Sequence, residues 1–204
     1  MLPTGLDQFG KDRTAVCCLS SVNLETYEQW SKEPQFIEDM MRYLDNILQD
    51  FIDRAPDEFE SARYSAMRER AVGLGAMGFH SFLQSKNIPF ESVMAKVWNK
   101  KMFKFIKDGA DKASVVLADE RGPCPDAAEM LVKERFSHKI AIAPNASSSI
   151  YCGNASAGIE PYPSNSYNHK TLEGTFNVRN KYLKKILAAH GRNDEETWTS
   201  ITVN

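Results

Sequence analysis

Little in this sequence is extreme, and what is scarce removes several classes of protein. No apolar run approaches the roughly 20 residues that a membrane-spanning helix needs. The opening stretch, MLPTGLDQFGKDR, lacks the apolar core of a secretory leader. Basic and acidic residues nearly cancel, 25 against 27 for a net charge of −2. There is thus no electrostatic footprint for DNA or RNA, and no basic amphipathic face that would argue for a membrane surface. Cysteine is sparse: Cys17, Cys18, Cys124 and Cys152 are the only 4 in 204 residues. That is too few for a disulfide scaffold, so a reducing cytoplasm is the expected compartment and any disulfide is expected to be catalytic. No Cys-x-x-Cys occurs, and His80, His138, His169 and His190 are scattered, so no metal site is expected. Internal repeats, low-complexity tracts and interdomain linkers are missing too.

What remains is ordinary globular material, 42% apolar and 25% charged. Its length fits one compact domain or part of a larger one. The most informative stretch is Lys139 to Pro161. Its run Ile140–Ala143 is too short for a helix and reads as a buried strand. Pro144 stops regular pairing. Asn145, Ala146, Ser147, Ser148 and Ser149 follow, small residues whose backbone N–H groups are unscreened. Such a turn can aim several N–H donors and hydroxyls at one anion. A polar surface loop is the plainer reading, but Gly158-Ile-Glu-Pro161 and Ser164-Asn-Ser-Tyr167 follow too closely for a solvated linker.

Around that stretch, residues 1–13 read as a loop and Thr14–Leu24 as a strand. Alternation puts Ala15, Cys17 and Leu19 on one face and Val16 and Cys18 on the other, so the adjacent cysteines point opposite ways. From Ser31, apolar residues including Phe36, Met41, Leu44, Leu48 and Phe51 recur at helical spacing until Asp53–Pro56. Arg70–Gln84 contains Gly73-Leu-Gly75-Ala-Met-Gly78, a formal G-x-G-x-x-G. A dinucleotide site would require a preceding strand and an acidic residue about 20 positions on. Glu91 lies only 13 beyond Gly78, so a strand turning into a helix, with glycines for close packing, is the better reading. His80 is then a hydrogen-bonded structural residue. A long helix is expected over Glu91–Glu120, with Val93, Val97, Phe105, Ala113, Val116 and Leu117 inward and a break conceivable at Gly109. Arg121-Gly-Pro123 stops it. Cys124, between two prolines, reads as inert. Further helices are expected from Asp126 to about Arg135 and over Asn177–His190, and the tail Trp198–Asn204 reads as a strand or turn. Alternating elements make the class α/β, and the few short strands need neighbours to complete a sheet.

Four segments together carry a family resemblance: Ala15–Leu24; Arg70–Leu83; Ile142–Ser149 through Gly158–Pro161; and Ser164–Tyr167 followed by Leu172-Glu-Gly174 and Phe176. In order and spacing they resemble the catalytic large subunit of class I ribonucleotide reductases, over essentially the whole chain. The resemblance implies a single segment, residues 1–204, of a ten-stranded α/β barrel that reduces ribonucleoside diphosphates. It implies that Asn145, Ala146, Ser147 and Ser148 bind the substrate's phosphates. It implies that Cys17 is one of two cysteines oxidised to a disulfide in each turnover, with Cys18 an uninvolved neighbour. The partners implied are the remaining parts of the large subunit, a small subunit carrying the radical-generating metal, and thioredoxin or glutaredoxin; the segment itself is expected to bind no cofactor. The radical cysteine's Asn-Leu-Cys-x-Glu-Ile segment, the partner of Cys17, the allosteric region and the C-terminal tyrosines and cysteines find no match here. A split-gene product or an incomplete fragment, inactive alone, is therefore expected. A segment of a cobalamin-dependent reductase and a non-catalytic nucleotide-binding or scaffolding piece are the alternatives.

Overall fold

The computed structural model describes residues 3–171 and 174–203. A two-residue hairpin, β1 (Gly5–Leu6) with β2 (Asp12–Arg13), opens the chain. β3 (Cys18–Asn23) follows, then a 3-10 turn and the short helix α1 (Tyr27–Trp30). Next come α2 (Phe36–Arg54), α3 (Glu60–Glu69), β4 (Val72–Met77), α4 (Phe79–Ser85), α5 (Val93–Arg121), α6 (Pro125–Glu129) and α7 (Ser148–Tyr151). The chain continues with an antiparallel hairpin, β5 (Ser166–Thr171) and β6 (Gly174–Arg179), then α8 (Lys181–Ala189) and α9 (Glu195–Val203).

β3 and β4 pair in parallel from Cys18↔Val72 to Asn23↔Met77. On the far side of β4 a third stretch runs parallel: Val72 N–H donates to His138 C=O, Leu74 N–H to Lys139 C=O, and Leu74 bridges Ile140. Helices connect each parallel step, as parallel geometry demands. α2 and α5 cover one face of the sheet, burying Met41, Leu44, Leu48, Met102, Ile106 and Leu117 completely against Leu74 and Ala76. Gly109 does not break α5. A Cβ there would lie 2.8 Å from Ile37 Cγ2, so the glycine lets the two long helices touch.

Several sequence expectations are corrected. Ile140–Ala143 is an edge stretch with one bridge, and Ile140 and Ile142 are 38% and 43% exposed. It has a neighbour on one side only among the described residues. The helix expected from Ser31 begins only at Phe36, because residues 31–35, with Pro34, form turns. Val93 and Val97 face outward. The helix expected to Arg135 stops at Glu129, where Leu131 enters the left-handed region (φ 57). Arg135 is thereby free to turn inward to a buried carboxylate. Asn177 belongs to β6, and α8 starts only after Asn180, whose side chain accepts from the N–H groups of Tyr182 and Leu183. The expected strand or turn at the tail is α9: Asp194 accepts from Thr197 N–H, and Trp198 is buried. Capping and burial there override the β-branched Thr, Ile and Val. Leu172 and Glu173 of the fourth matching segment, and Met1 and Asn204, lie outside the described residues.

Candidate functional site

The glycines of β4 organise the site. The G-x-G-x-x-G is not a loop after a strand: Gly73 and Gly75 lie within β4, and only Gly78, at φ 80, makes the turn into α4. A Cβ on Gly73 would lie 2.5 Å from Leu19 Cδ2, 2.8 Å from Ala141 Cβ and 3.5 Å from Cys17 Sγ. A Cβ on Gly75 would lie 2.2 Å from the Ala141 carbonyl oxygen and 3.3 Å from Ser21 Oγ. Cys17, Leu19 and Ser21 therefore share one face with the glycines and Ala141. Cys18 lies against the opposite, helix-covered core. Alternation read from the sequence placed the two cysteines correctly.

Cys17 sits at the entry to β3, half-buried and free. Burial pushes its thiol pKa up, and the neighbouring Cys18 and the carboxylate of Glu69 push it further. The Asn145–Ser148 turn lies at the opposite, carboxyl end of the sheet. From Ala141 to Asn145 is four residues, at most about 14 Å of extended chain. Loops at the carboxyl ends of parallel strands are where α/β proteins place ligands.

The turn is built from within. The Asn145 amide donates to the carbonyls of Ala143 (2.8 Å) and Ala157 (3.0 Å). Asn145 C=O accepts from Ser149 N–H, and the buried Ser149 hydroxyl donates to Ala146 C=O. Asn145 thus braces the loop, its two amide hydrogens spent on backbone. Ala146, Ser147 and Ser148 are exposed at the start of α7. Among the described residues no hydrogen bond engages their N–H groups or the two hydroxyls. Unengaged backbone N–H groups and hydroxyls converging on one turn favour an anion there.

The loop's exit is tied to the β4–α4 turn. Gly78 N–H donates to Ser156 C=O (2.7 Å), Ser156 N–H to Ser81 Oγ (2.9 Å), and Tyr162 N–H to His80 Nδ1 (3.0 Å). His80 is thus occupied structurally, and burial lowers its pKa. Lys181 Nζ bonds Gly153 C=O (3.0 Å) and pairs with Glu25 (2.5 Å), which also accepts from the Tyr182 hydroxyl. These bonds fix the loop against the carboxyl end of β3.

Behind the sheet, Asp45 is wholly buried and receives three arginines: Arg70 (2.6 Å), Arg121 (2.7 Å) and Arg135 (3.1 Å). Burial opposes its ionisation, yet Arg135, Arg70 and Arg121 outweigh it and hold the carboxyl below its usual range. Arg70 stands in the left-handed region (φ 45), a strained conformation for an arginine that these bonds hold in place. Sequence reasoning also missed Glu69, at the end of α3. It is 3% exposed, yet neither carboxylate oxygen has a hydrogen-bond partner among the described residues. Arg-Glu-Arg before a glycine-rich strand gives no hint of burial.

Parallel strands joined by helices, with a donor-rich loop at their carboxyl ends, define the class: a wall of an α/β barrel. The chain belongs to the ribonucleotide reductase family, since the family model described as ribonucleotide reductase, barrel domain, matches residues 7–130 and 133–204. It is 45% identical over 195 residues to the ribonucleoside-diphosphate reductase large subunit of Invertebrate iridescent virus 3, covering 94% of this chain and 31% of that protein. The large subunit of Invertebrate iridescent virus 6 is 44% identical over 194 residues, 94% of this chain and 20% of that one. Among solved structures, the class Id ribonucleotide reductase alpha subunit of Actinobacillus ureae superposes with a TM-score of 0.84 at 34% identity, covering 94% of this chain and 35% of that one. The chain thus spans about a third or less of the length of the relatives it matches. No helix among the described residues is long and apolar enough to cross a membrane.

Proposed function

We propose that this chain supplies the phosphate-binding wall and one redox cysteine of a ribonucleoside-diphosphate reductase large subunit. The observation that carries the reading is the shared glycine face. Cys17 lies at one end of it, and at the other the third parallel stretch delivers the free N–H groups of Ala146, Ser147 and Ser148. The turn holds the substrate's diphosphate, braced by Asn145. The ribose then lies along this face, over the Leu19 and Ala141 side chains that cover the glycines and toward Cys17. Removal of the 2′-hydroxyl takes two electrons, and a dithiol with Cys17 as one member provides them. The second cysteine and the radical chemistry come from the remaining parts of the large subunit, with a metal-bearing small subunit as radical source. Thioredoxin or glutaredoxin re-reduces the disulfide in a reducing cytoplasm, and the segment alone does not turn over.

Calorimetry tests the binding half of this reading. A ribonucleoside diphosphate should bind the chain mixed with polypeptides carrying the rest of the barrel, and Ser148→Asp should weaken that binding about tenfold or more, or by about 1.4 kcal/mol. The introduced carboxylate is exposed and repels the phosphates without disturbing the core. Unchanged affinity in Ser148→Asp would place the phosphates elsewhere.

A further inference from the structure

Glu69 is unlike every other buried charge described here. The Asp45 carboxylate receives hydrogen bonds from three arginines. Glu69 receives none, although it too is buried. The nearest cation, Arg13 Nη1, is 3.7 Å from Oε1, too far for a hydrogen bond. Arg13 is committed elsewhere: Nη1 and Nη2 grip Asp126 at 2.6 and 3.0 Å, and Nε donates to Asp7 at 3.1 Å. Arg68, on the same helix, turns its Nη2 to Asp126 and Glu129 rather than to Glu69. A carboxylate in such a place is costly, and its neutral form is favoured.

Its place in the fold is specific. Glu69 ends α3, and the left-handed Arg70 turns the chain directly into β4. Cys17 immediately precedes β3, whose first residue Cys18 pairs with Val72, three positions beyond Glu69. Both groups therefore stand at the same, entry end of the same strand pair. The two groups share this end without a direct hydrogen bond, so a proton passes between them through one water.

We infer that Glu69 is the proton-transfer partner of Cys17 in thiol–disulfide exchange. This rests on the reading of Cys17 as a redox cysteine. When a dithiol reductant's thiolate attacks the sulfur disulfide-bonded to Cys17, the S–S bond breaks. Cys17 sulfur leaves with the bonding pair as a thiolate, and the reductant becomes half of a mixed disulfide. The Glu69 carboxyl gives its proton to that thiolate, and the carboxylate recovers one from solvent. Transfer in this direction is downhill: burial pushes Glu69 up to about 7 against the opposing pull of Arg13, while the Cys17 thiol is pushed above its already higher ordinary value. Whenever Glu69 is ionised, its charge keeps the reduced Cys17 a thiol. Among the described residues, the charged groups acting on Glu69 are Arg13, which favours its ionised form, and Asp126, which opposes it.

The test is the pH profile of Cys17 alkylation by iodoacetamide, followed by peptide mass spectrometry on the full chain and on Glu69→Gln. In the unaltered chain the profile should bend near pH 7 as well as at the thiol's own pKa. In Glu69→Gln the lower bend should vanish, and alkylation at pH 8 should be about three- to tenfold faster, the effect of lowering a thiol pKa by half to one unit. Coincident profiles would overturn the proton-transfer role. A second measurement needs no substitution at Glu69: the carbon-13 carboxyl shift of Glu69 should titrate at lower pH once Cys17 is disulfide-bonded to a cationic small thiol, and an unmoved titration would also overturn it. Failure of the Cys17 reading looks different. In the assembled enzyme, Cys17→Ser would then keep multiple turnovers whatever the alkylation profiles show.

Discussion

Cys17 and Cys18 are adjacent in the chain and face opposite sides of β3. One shares the face with Gly73 and Gly75, and the other lies against the helix-covered core. Their substitution should separate accordingly. In an enzyme assembled with the rest of the barrel, Cys17→Ser should abolish multiple turnovers while Cys18→Ser costs little, read as deoxynucleotide formed per active site over time; equal loss would refute the assignment. Glu69 makes a second residue-scale prediction. Its pKa, about 7 when folded, exceeds the ordinary 4.5. The folded chain therefore holds that proton where the unfolded chain has released it. Stability is full below about pH 4.5, declines as pH rises toward 7 and is flat beyond, for a loss of roughly 3 kcal/mol. Urea midpoints at pH 5 and pH 8 should differ more for the unaltered chain than for Glu69→Gln. A carboxylate held low by partners, as Asp45 is, has the opposite sign and loses its contribution as pH falls through the acid range.

Between elements, the close approaches matter most. Gly75 leaves no room for a side chain, since a Cβ would lie 2.2 Å from a backbone oxygen that cannot rotate away. Gly75→Ala should push the third parallel stretch off β4 and cost about 1–3 kcal/mol, with faster amide exchange of Leu74, whose N–H bonds Lys139. Asp45 ties α2 to the start of β4, to the end of α5 and, through Arg135, to the chain after α6. Asp45→Ala leaves three arginines facing a buried void and should destabilise by about 3–5 kcal/mol, visible as a lower thermal midpoint. These elements were unequally legible. α2 and α5 announce themselves by apolar spacing and by stop signals such as Arg121-Gly-Pro123. α3, Glu60–Glu69, carries no comparable stripe, because what it buries is largely small or polar: Ala62, Ser65, Ala66, Arg68 and Glu69. Its helicity follows from what it packs against.

At the scale of the whole molecule, the described parallel stretches make an open sheet whose glycine face has helices on its other side only. Leu19 is 50% exposed on that open face. An apolar side chain there is more useful beneath a substrate or a neighbouring strand than in water. Binding of a ribonucleoside diphosphate should accordingly be far weaker to this chain alone than to the chain combined with the rest of the barrel, as measured by calorimetry on both. Equal affinity would mean that the loop suffices by itself.

The sequence by itself determined the α/β class, the opposed faces of Cys17 and Cys18, the donor-rich turn after Pro144, and the packing role of the glycines around Gly73. All of these depend on local periodicity, small size or missing side chains, properties carried by neighbouring residues. Only the tertiary structure decided that Asn145 braces the turn, since both carbonyls it grips, Ala143 and Ala157, must first be brought together. Only tertiary structure could single out Glu69. A charge at a helix end reads as solvated until the surrounding chain shuts water out, and its partners are then counted in space.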